Sequence, residues 1–260
     1  MQRTKEKLAR GEMVRYAAMG RVMHHNVINM IGMNGGFDGL WLDHEHVGFS
    51  MENLEIATAV ARSQNLDCFV RIAPTDYALF TKCLEAGAGG VMAAMVYSAE
   101  QAEQIVRWTK FAPRGQRGLN VSGFDGRFTL TPLAKFTQEA NEKNWVAIQI
   151  ETLSSVECVD EIAAIDGVDL LFVGPSDLSQ ALGVTGDFMH PKCQEAIDKV
   201  AAACRKHNKP WGAVTPNPEH CEMLYSKGCR MLSVTNDSRI VQAGLNAVKS
   251  NFSKFFAEAK

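Results

Sequence analysis

Paired cysteines are missing from this sequence: no CxxC occurs, and the seven cysteines stand singly at Cys68, Cys83, Cys158, Cys193, Cys204, Cys221 and Cys229. A zinc knuckle or a disulfide framework needs thiols in regular pairs, so neither is expected and the cysteines read as reduced core or helix residues. Long apolar runs are missing too. Gly, Asn or a charge interrupts every stretch before the ~18 residues that a membrane span requires. The opening MQRTKEKLARGE is charged and has no apolar centre of the kind a signal peptide carries, which makes a cytoplasmic protein the expectation. Charge of one sign is not in excess. With a formal net charge of -2 and no basic or acidic block, neither nucleic acid nor an anionic membrane is implied as partner.

What is present is a long alternation of strand and helix signals. At 260 residues, 46% of them hydrophobic, the chain can bury one large core. After a first helix, strands are expected at Met13 to Gly20, Gly39 to Leu42, Asp67 to Ile72, Gly89 to Val96, Val146 to Ile150, Val168 to Val173, Pro210 to Val214 and Cys229 to Val234. Helices are expected between them: Val27 to Met33, Ser50 to Gln64, Pro74 to Gly87, Ser98 to Trp108, one through Asn141, Ser154 to Ala164, a pair from Ser176 and from Pro191, and Asn217 to Lys227. Val241 to Phe256 closes the chain. Eight strand signals without a hairpin signature argue for a single-domain (β/α)8 TIM barrel over residues 1–260. An open doubly wound sheet would want a GxGxxG turn after its first strand, and MGRVMHH lacks that spacing.

In such a barrel the chemistry sits where strands end, because the βα loops vary there without disturbing the core. Glu151 and Asp177 each follow directly on an apolar strand, VAIQI and VDLLFV. Two carboxylates from adjacent strand ends suit a hard cation such as Mg²⁺ or Mn²⁺, with positions left for water and a chelating 2-oxo acid. Equally, Glu151 would cap the next helix and Asp177 would be a first-turn acid favoured by the helix dipole. Strand two ends in Asp43, His44, Glu45 and His46, too polar a cluster for packing, and Arg71 stands near the exit of strand three. On the cation reading, Arg71 would stabilise the negative charge that develops on a keto oxygen. His46 would be the base, directly or through a metal-bound water, with Asp43 fixing its tautomer and Glu45 holding a metal-bound water. The turn Gly174-Pro175-Ser176 would offer backbone N–H groups to the carboxylate of pyruvate. A structural reading stands beside each of these. His44, His24 and His25 receive no chemical role, and the Arg114, Arg117 and Arg127 loop either binds an anionic substrate tail or pairs with acids at a subunit interface.

The motifs FDGLWLDHEH, VRIAPTD, AGAGGVMAAMV with RGQRG after it, VAIQIET and VDLLFVGPSDLS together resemble the HpcH/HpaI aldolase family, the metal-dependent class II pyruvate aldolases, over nearly the whole chain. The resemblance implies metal ligands at Glu151 and Asp177, a catalytic His46 preceded by Asp43, an enolate-stabilising Arg71, a pyruvate-contacting Gln149, and carboxylate-binding amides at Ser176 and Asp177. It also implies a Mg²⁺, Mn²⁺ or Co²⁺ cofactor and reversible cleavage of a 4-hydroxy-2-oxo acid into pyruvate and an aldehyde. A homohexamer, built as a trimer of dimers that swap a C-terminal helix, is implied as well. Gly is more usual where His44 stands, and the segment from Asn120 to Phe128 is unlike other members. Relatives also suggest an oxaloacetate decarboxylase or a hydroxyacyl-CoA lyase, and a non-catalytic 2-oxo acid binding protein is the alternative of another class.

Overall fold

The computed structural model describes residues 3–256; residues 1, 2 and 257–260 of the expected domain lie outside the described residues. Eight strands run as β1 (Val14–Met19), β2 (Gly39–Asp43), β3 (Asp67–Ile72), β4 (Gly90–Ala93), β5 (Trp145–Ile150), β6 (Leu170–Val173), β7 (Trp211–Val214) and β8 (Met231–Asn236). They pair in sequence order, all parallel, and β8 closes on β1, so the barrel expected from the sequence is the fold. The helices are α1 (Arg3–Ala9), α2 (His25–Asn34), α3 (Met51–Ser63), α4 (Tyr77–Glu85), α5 (Ala99–Thr109), α6 (Leu133–Lys143) and α7 (Leu153–Glu157). They continue as α8 (Val159–Ala164), α9 (Pro175–Ala181), α10 (Pro191–Lys206), α11 (Pro218–Ser226), α12 (Asp237–Asn251) and α13 (Ser253–Phe256). Among the described residues no helix is long and apolar enough to cross a membrane.

Alternation along each strand sorts the side chains into two cores. One set, including Leu40, Leu42, Val70, Ile72, Ile148 and Ile150, faces the helices and forms the larger core. The other set, including Tyr16, Trp41, Phe69, Trp145 and Phe172, fills the barrel axis. Phe69 packs against Tyr16, Trp41 and Trp145 at ring separations of 5.3, 5.9 and 5.0 Å, and Trp41 meets Phe172 edge-on at 5.5 Å. Each such pair contributes about 0.5–1.5 kcal/mol beyond the area it buries. This aromatic plug forms a floor. Residues two positions further along the same strands, Asp43 after Trp41, Arg71 after Phe69 and Gly174 after Phe172, stand above that floor at the C-terminal mouth.

Two helix expectations are corrected. The segment Ser154 to Ala164 is two short helices rather than one, because Cys158 (φ -98°, ψ 19°) leaves the helical basin between α7 and α8. The closing helix begins at Asp237 instead of Val241, capped by Asn236, and breaks at Phe252 before α13. β4 ends at Ala93, short of the expected Val96. Its continuation turns at Met95, whose φ of 49° directs the backbone away from the sheet and toward the mouth. All seven cysteines are free, five of them buried.

Candidate active site

Glu151 is the most deeply set acid at the mouth, 1% exposed. It follows β5 directly, and Thr152, not Glu151, caps α7, so the capping alternative for this acid does not hold. Its Oε1 accepts the Met95 backbone N–H at 2.8 Å and its Oε2 accepts the Gln149 side-chain amide. The space around it depends on Gly174, where a Cβ would run into Glu151 Oε2 and lie 2.6 Å from Gln149 Nε2. Burial pushes the Glu151 carboxyl up to about 7; the Met95 hydrogen bond opposes this, while the charges of Asp177 and Glu45 push it further. A carboxyl so placed is short of positive charge. Asp177 is in the first turn of α9, half-buried, as its helix-dipole reading also requires. The N–H groups of Ser176 and Asp177 belong to that same turn and have no acceptor within the helix.

Arg71 stands on the neighbouring side of the mouth. The β2–β3 register sets Asp43 opposite Arg71, so the pair is a product of strand pairing. Arg71 donates Nε–H to Asp43 Oδ1 at 3.0 Å and Nη2–H to Oδ2 at 2.8 Å, its Nη1 is 3.1 Å from Glu45 Oε2, and its guanidinium lies 4.6 Å from the Trp41 ring centre. Burial raises the Asp43 carboxyl, but the hydrogen bonds and charge of Arg71 outweigh it and the group ends below its usual range.

The expected contact between Asp43 and the His46 ring is not formed. Asp43 Oδ1 accepts the backbone N–H groups of Glu45 and His46 at 3.1 and 3.5 Å, shaping the turn, and its remaining capacity goes to Arg71. The His46 side chain is 59% exposed, with Nε2 3.7 Å from Glu45 Oε2. Glu45 is therefore placed between His46 and Arg71, and its Oε2 is buried without a hydrogen bond. His44 turns its ring edge-on to Phe49, 4.9 Å away, while His24 caps α2 through Nδ1 and packs on His25. Arg114 is bound to Glu103 at 2.8 and 2.7 Å and Arg117, fully buried, to Asp125 at 2.5 Å, all within the chain. Neither reaches the mouth.

The sequence reading missed Trp41 and Met95, and it named Gly174 for its turn rather than for the space it leaves to Glu151. Strand alternation places Trp41 on the same face as Asp43, so its role beneath Arg71 was accessible. The Met95 contribution is a backbone N–H that leaves no trace in residue type. A cavity of about 310 Å³ opens beside Arg71, Asp43 and His46 and extends toward β8 and α12, with Trp41, Ser233 and Asn236 in its wall. Glu151, Gln149 and Asp177 do not line it.

The residues fit a hard cation. Besides the cation-poor Glu151, Gln149 Oε1 is buried with no hydrogen bond, and the donors gathered here are oxygens. Among the described residues no group of three or more His, Cys, Asp or Glu is arranged around a metal position, so Glu151 and Asp177 stand as a pair. Fold and donor chemistry together give a (β/α)8 barrel whose mouth carries an oxygen-donor pair suited to a divalent cation. The chain belongs to the HpcH/HpaI aldolase/citrate lyase family, whose model matches residues 24–243. A 5-keto-4-deoxy-D-glucarate aldolase of Klebsiella pneumoniae is 32% identical over 219 residues, 84% of this chain and 85% of the relative. Among solved structures, the HpcH/HpaI aldolase of Desulfitobacterium hafniense superposes with a TM-score of 0.87 at 30% identity, covering 94% of this chain and 96% of that one. An HpcH/HpaI aldolase/citrate lyase family protein of Burkholderia cenocepacia gives 0.88 at 26%, covering 96% and 99%.

Proposed function

We propose that the protein catalyses reversible aldol cleavage of a 4-hydroxy-2-oxo acid into pyruvate and an aldehyde, with Glu151 and Asp177 holding the divalent ion. The observation that carries this is the Glu151 carboxyl, 1% exposed and raised to about 7 by its burial, beside an unbonded Gln149 oxygen and the charge of Asp177. The ion, when bound, supplies a Lewis acid for the 2-oxo group. Around it, Arg71 presents a fixed guanidinium to the keto oxygen as negative charge builds there, held in orientation by Asp43 and Glu45. His46, at the cavity edge, is the base that removes the C3 proton of pyruvate in synthesis and returns it in cleavage. Gln149 and the first-turn N–H groups of Ser176 and Asp177 orient the carboxylate end. The name of the Klebsiella relative supports a sugar-acid substrate of the 5-keto-4-deoxy-D-glucarate type. Protein stripped with a chelator is expected to release no pyruvate from such acids and to regain release with Mg²⁺, Mn²⁺ or Co²⁺. Metal-loaded protein that is inert toward a panel of aldehydes and toward oxaloacetate would reject the reading.

The same proposal includes a homohexamer assembled from dimers that exchange α12. Of that helix only Asp237 is buried, and Val241, Leu245, Val248 and then Phe252 and Phe255 are exposed at helical spacing. A stripe of this kind is stable in water when another surface covers it. Light scattering is expected to give the mass of six chains, and a monodisperse monomer at micromolar concentration would overturn the assembly.

A further inference from the structure

The cavity beside Arg71 carries two more arginines that the cleavage chemistry leaves unused. Arg21 follows β1 and Arg239 is in the first turn of α12, and both line the same 310 Å³ space as Arg71 and His46. Arg21 donates Nη2–H to the His46 carbonyl oxygen at 3.0 Å, which ties it to the turn that bears the proposed base. Among the described residues neither Arg21 nor Arg239 has an ion-pair partner. Two acids line the cavity: Asp43 is paired with Arg71, and Asp237 is engaged by backbone N–H groups. Asp237, 3% exposed, accepts the backbone N–H groups of Gly20 at 2.8 Å and Val22 at 2.6 Å through Oδ2, and that of Ser238 at 2.7 Å through Oδ1. Those bonds clamp the residues flanking Arg21 to the helix turn that carries Arg239, so the two arginines are anchored by their backbones on one small unit.

We propose that Arg21 and Arg239 form the recognition site for a carboxylate on the aldehyde half of the substrate, making the protein selective for acid-bearing aldehydes over neutral ones. This rests on the aldolase reading, since the aldehyde must leave from the side of Arg71 and His46 that opens into the cavity. At about 310 Å³ the space is at the small end of ligand sites and suits a short chain ending in an anion. A guanidinium pairs with a carboxylate through two parallel N–H donors, which gives direction as well as charge. A neutral aldehyde of the same length leaves both arginines hydrated and gains nothing from them.

The test compares succinic semialdehyde with butyraldehyde as partners of pyruvate in the aldol direction, with Mn²⁺-loaded protein. The ratio of kcat/KM for the two is expected to favour the acid, and to fall at least about tenfold in Arg21→Gln and in Arg239→Gln, as expected for a lost charged hydrogen bond. Arg21→Lys is expected to recover part of the ratio through its charge. Exchange of the pyruvate C3 protons into deuterated water, followed on the unmodified protein, checks the underlying reading. No exchange would sink the aldolase and this site together. Exchange with a ratio unaltered in both Gln variants would overturn this site alone.

Discussion

Glu151→Gln is expected to weaken Mn²⁺ binding by about a hundredfold or more, since even partners one step removed from a metal are worth about 10–100-fold. Turnover falls with it. The change keeps shape but removes the charge from the more buried of two carboxylates and turns one of its two accepting oxygens into a donor, and Asp177→Asn is expected to act in the same direction from its half-buried position. Calorimetric titration of the stripped protein reads the effect, and near-normal affinity in the Gln variant would reject Glu151 as a ligand. A second readout is independent of activity. The Glu151 carboxyl is raised from 4.5 to about 7 in the folded protein, so the fold binds this proton more tightly than the unfolded chain does. Its contribution is therefore complete below 4.5 and lost as pH rises through about 7, a difference on the order of 3 kcal/mol. Metal-free protein should unfold at a lower temperature at pH 8 than at pH 5, and Glu151→Gln should remove that part of the dependence. A cation reverses the sign by stabilising the ionised carboxylate, so added Mn²⁺ should raise the unfolding temperature more at pH 8 than at pH 5.

The barrel was legible because its strands are buried on both faces. DCFVRI has all six residues buried, and its bounds, Asp67–Ile72, are those its composition implies. Less was visible where a boundary depends on tertiary bonds. β6 starts at Leu170 instead of Val168, and Asp169 just before it gives its N–H to the Val146 carbonyl while its carboxylate accepts the Val146 N–H, a side-chain bond in place of a ladder bond. The break at Cys158 has no Gly or Pro to announce it. At the mouth, position along the strand identified Glu151, Asp43 and Arg71 as residues of the rim, but not who pairs with whom. The sequence reading sets Asp43 to fix the tautomer of His46. Strand register puts Asp43 opposite Arg71, and an always-charged guanidinium with two matched donors wins over an exposed imidazole. The arginines of the 114 to 127 segment show the converse: a Gly- and Arg-rich stretch looks functional, yet Arg114 and Arg117 are committed to Glu103 and Asp125.

The register-made pair also sets the outcome of Arg71→Ala. Removing the guanidinium is expected to slow turnover by about 10²–10³-fold, the cost of one lost oxyanion donor, roughly 3 kcal/mol. Yet Arg71 also holds Asp43 at 2.8 Å and Glu45 at 3.1 Å, and the Ala variant leaves those two carboxylates facing each other above Trp41 without a counter-charge. Loss of activity by itself would not separate chemistry from a collapsed mouth. Arg71→Lys does, since it keeps a cation between the acids while losing the planar fork that addresses a keto oxygen and two carboxylate edges at once. The Lys variant is expected to unfold near the temperature of the unmodified protein and still to exchange pyruvate C3 protons at least about tenfold more slowly. The Ala variant is expected to lose both stability and exchange. If exchange persists in Arg71→Ala, charge on the keto oxygen is borne elsewhere and Arg71 is a structural partner of Asp43 and Glu45. If Lys restores exchange in full, the cation alone suffices and the two-pronged geometry seen against Asp43 serves the fold rather than the reaction.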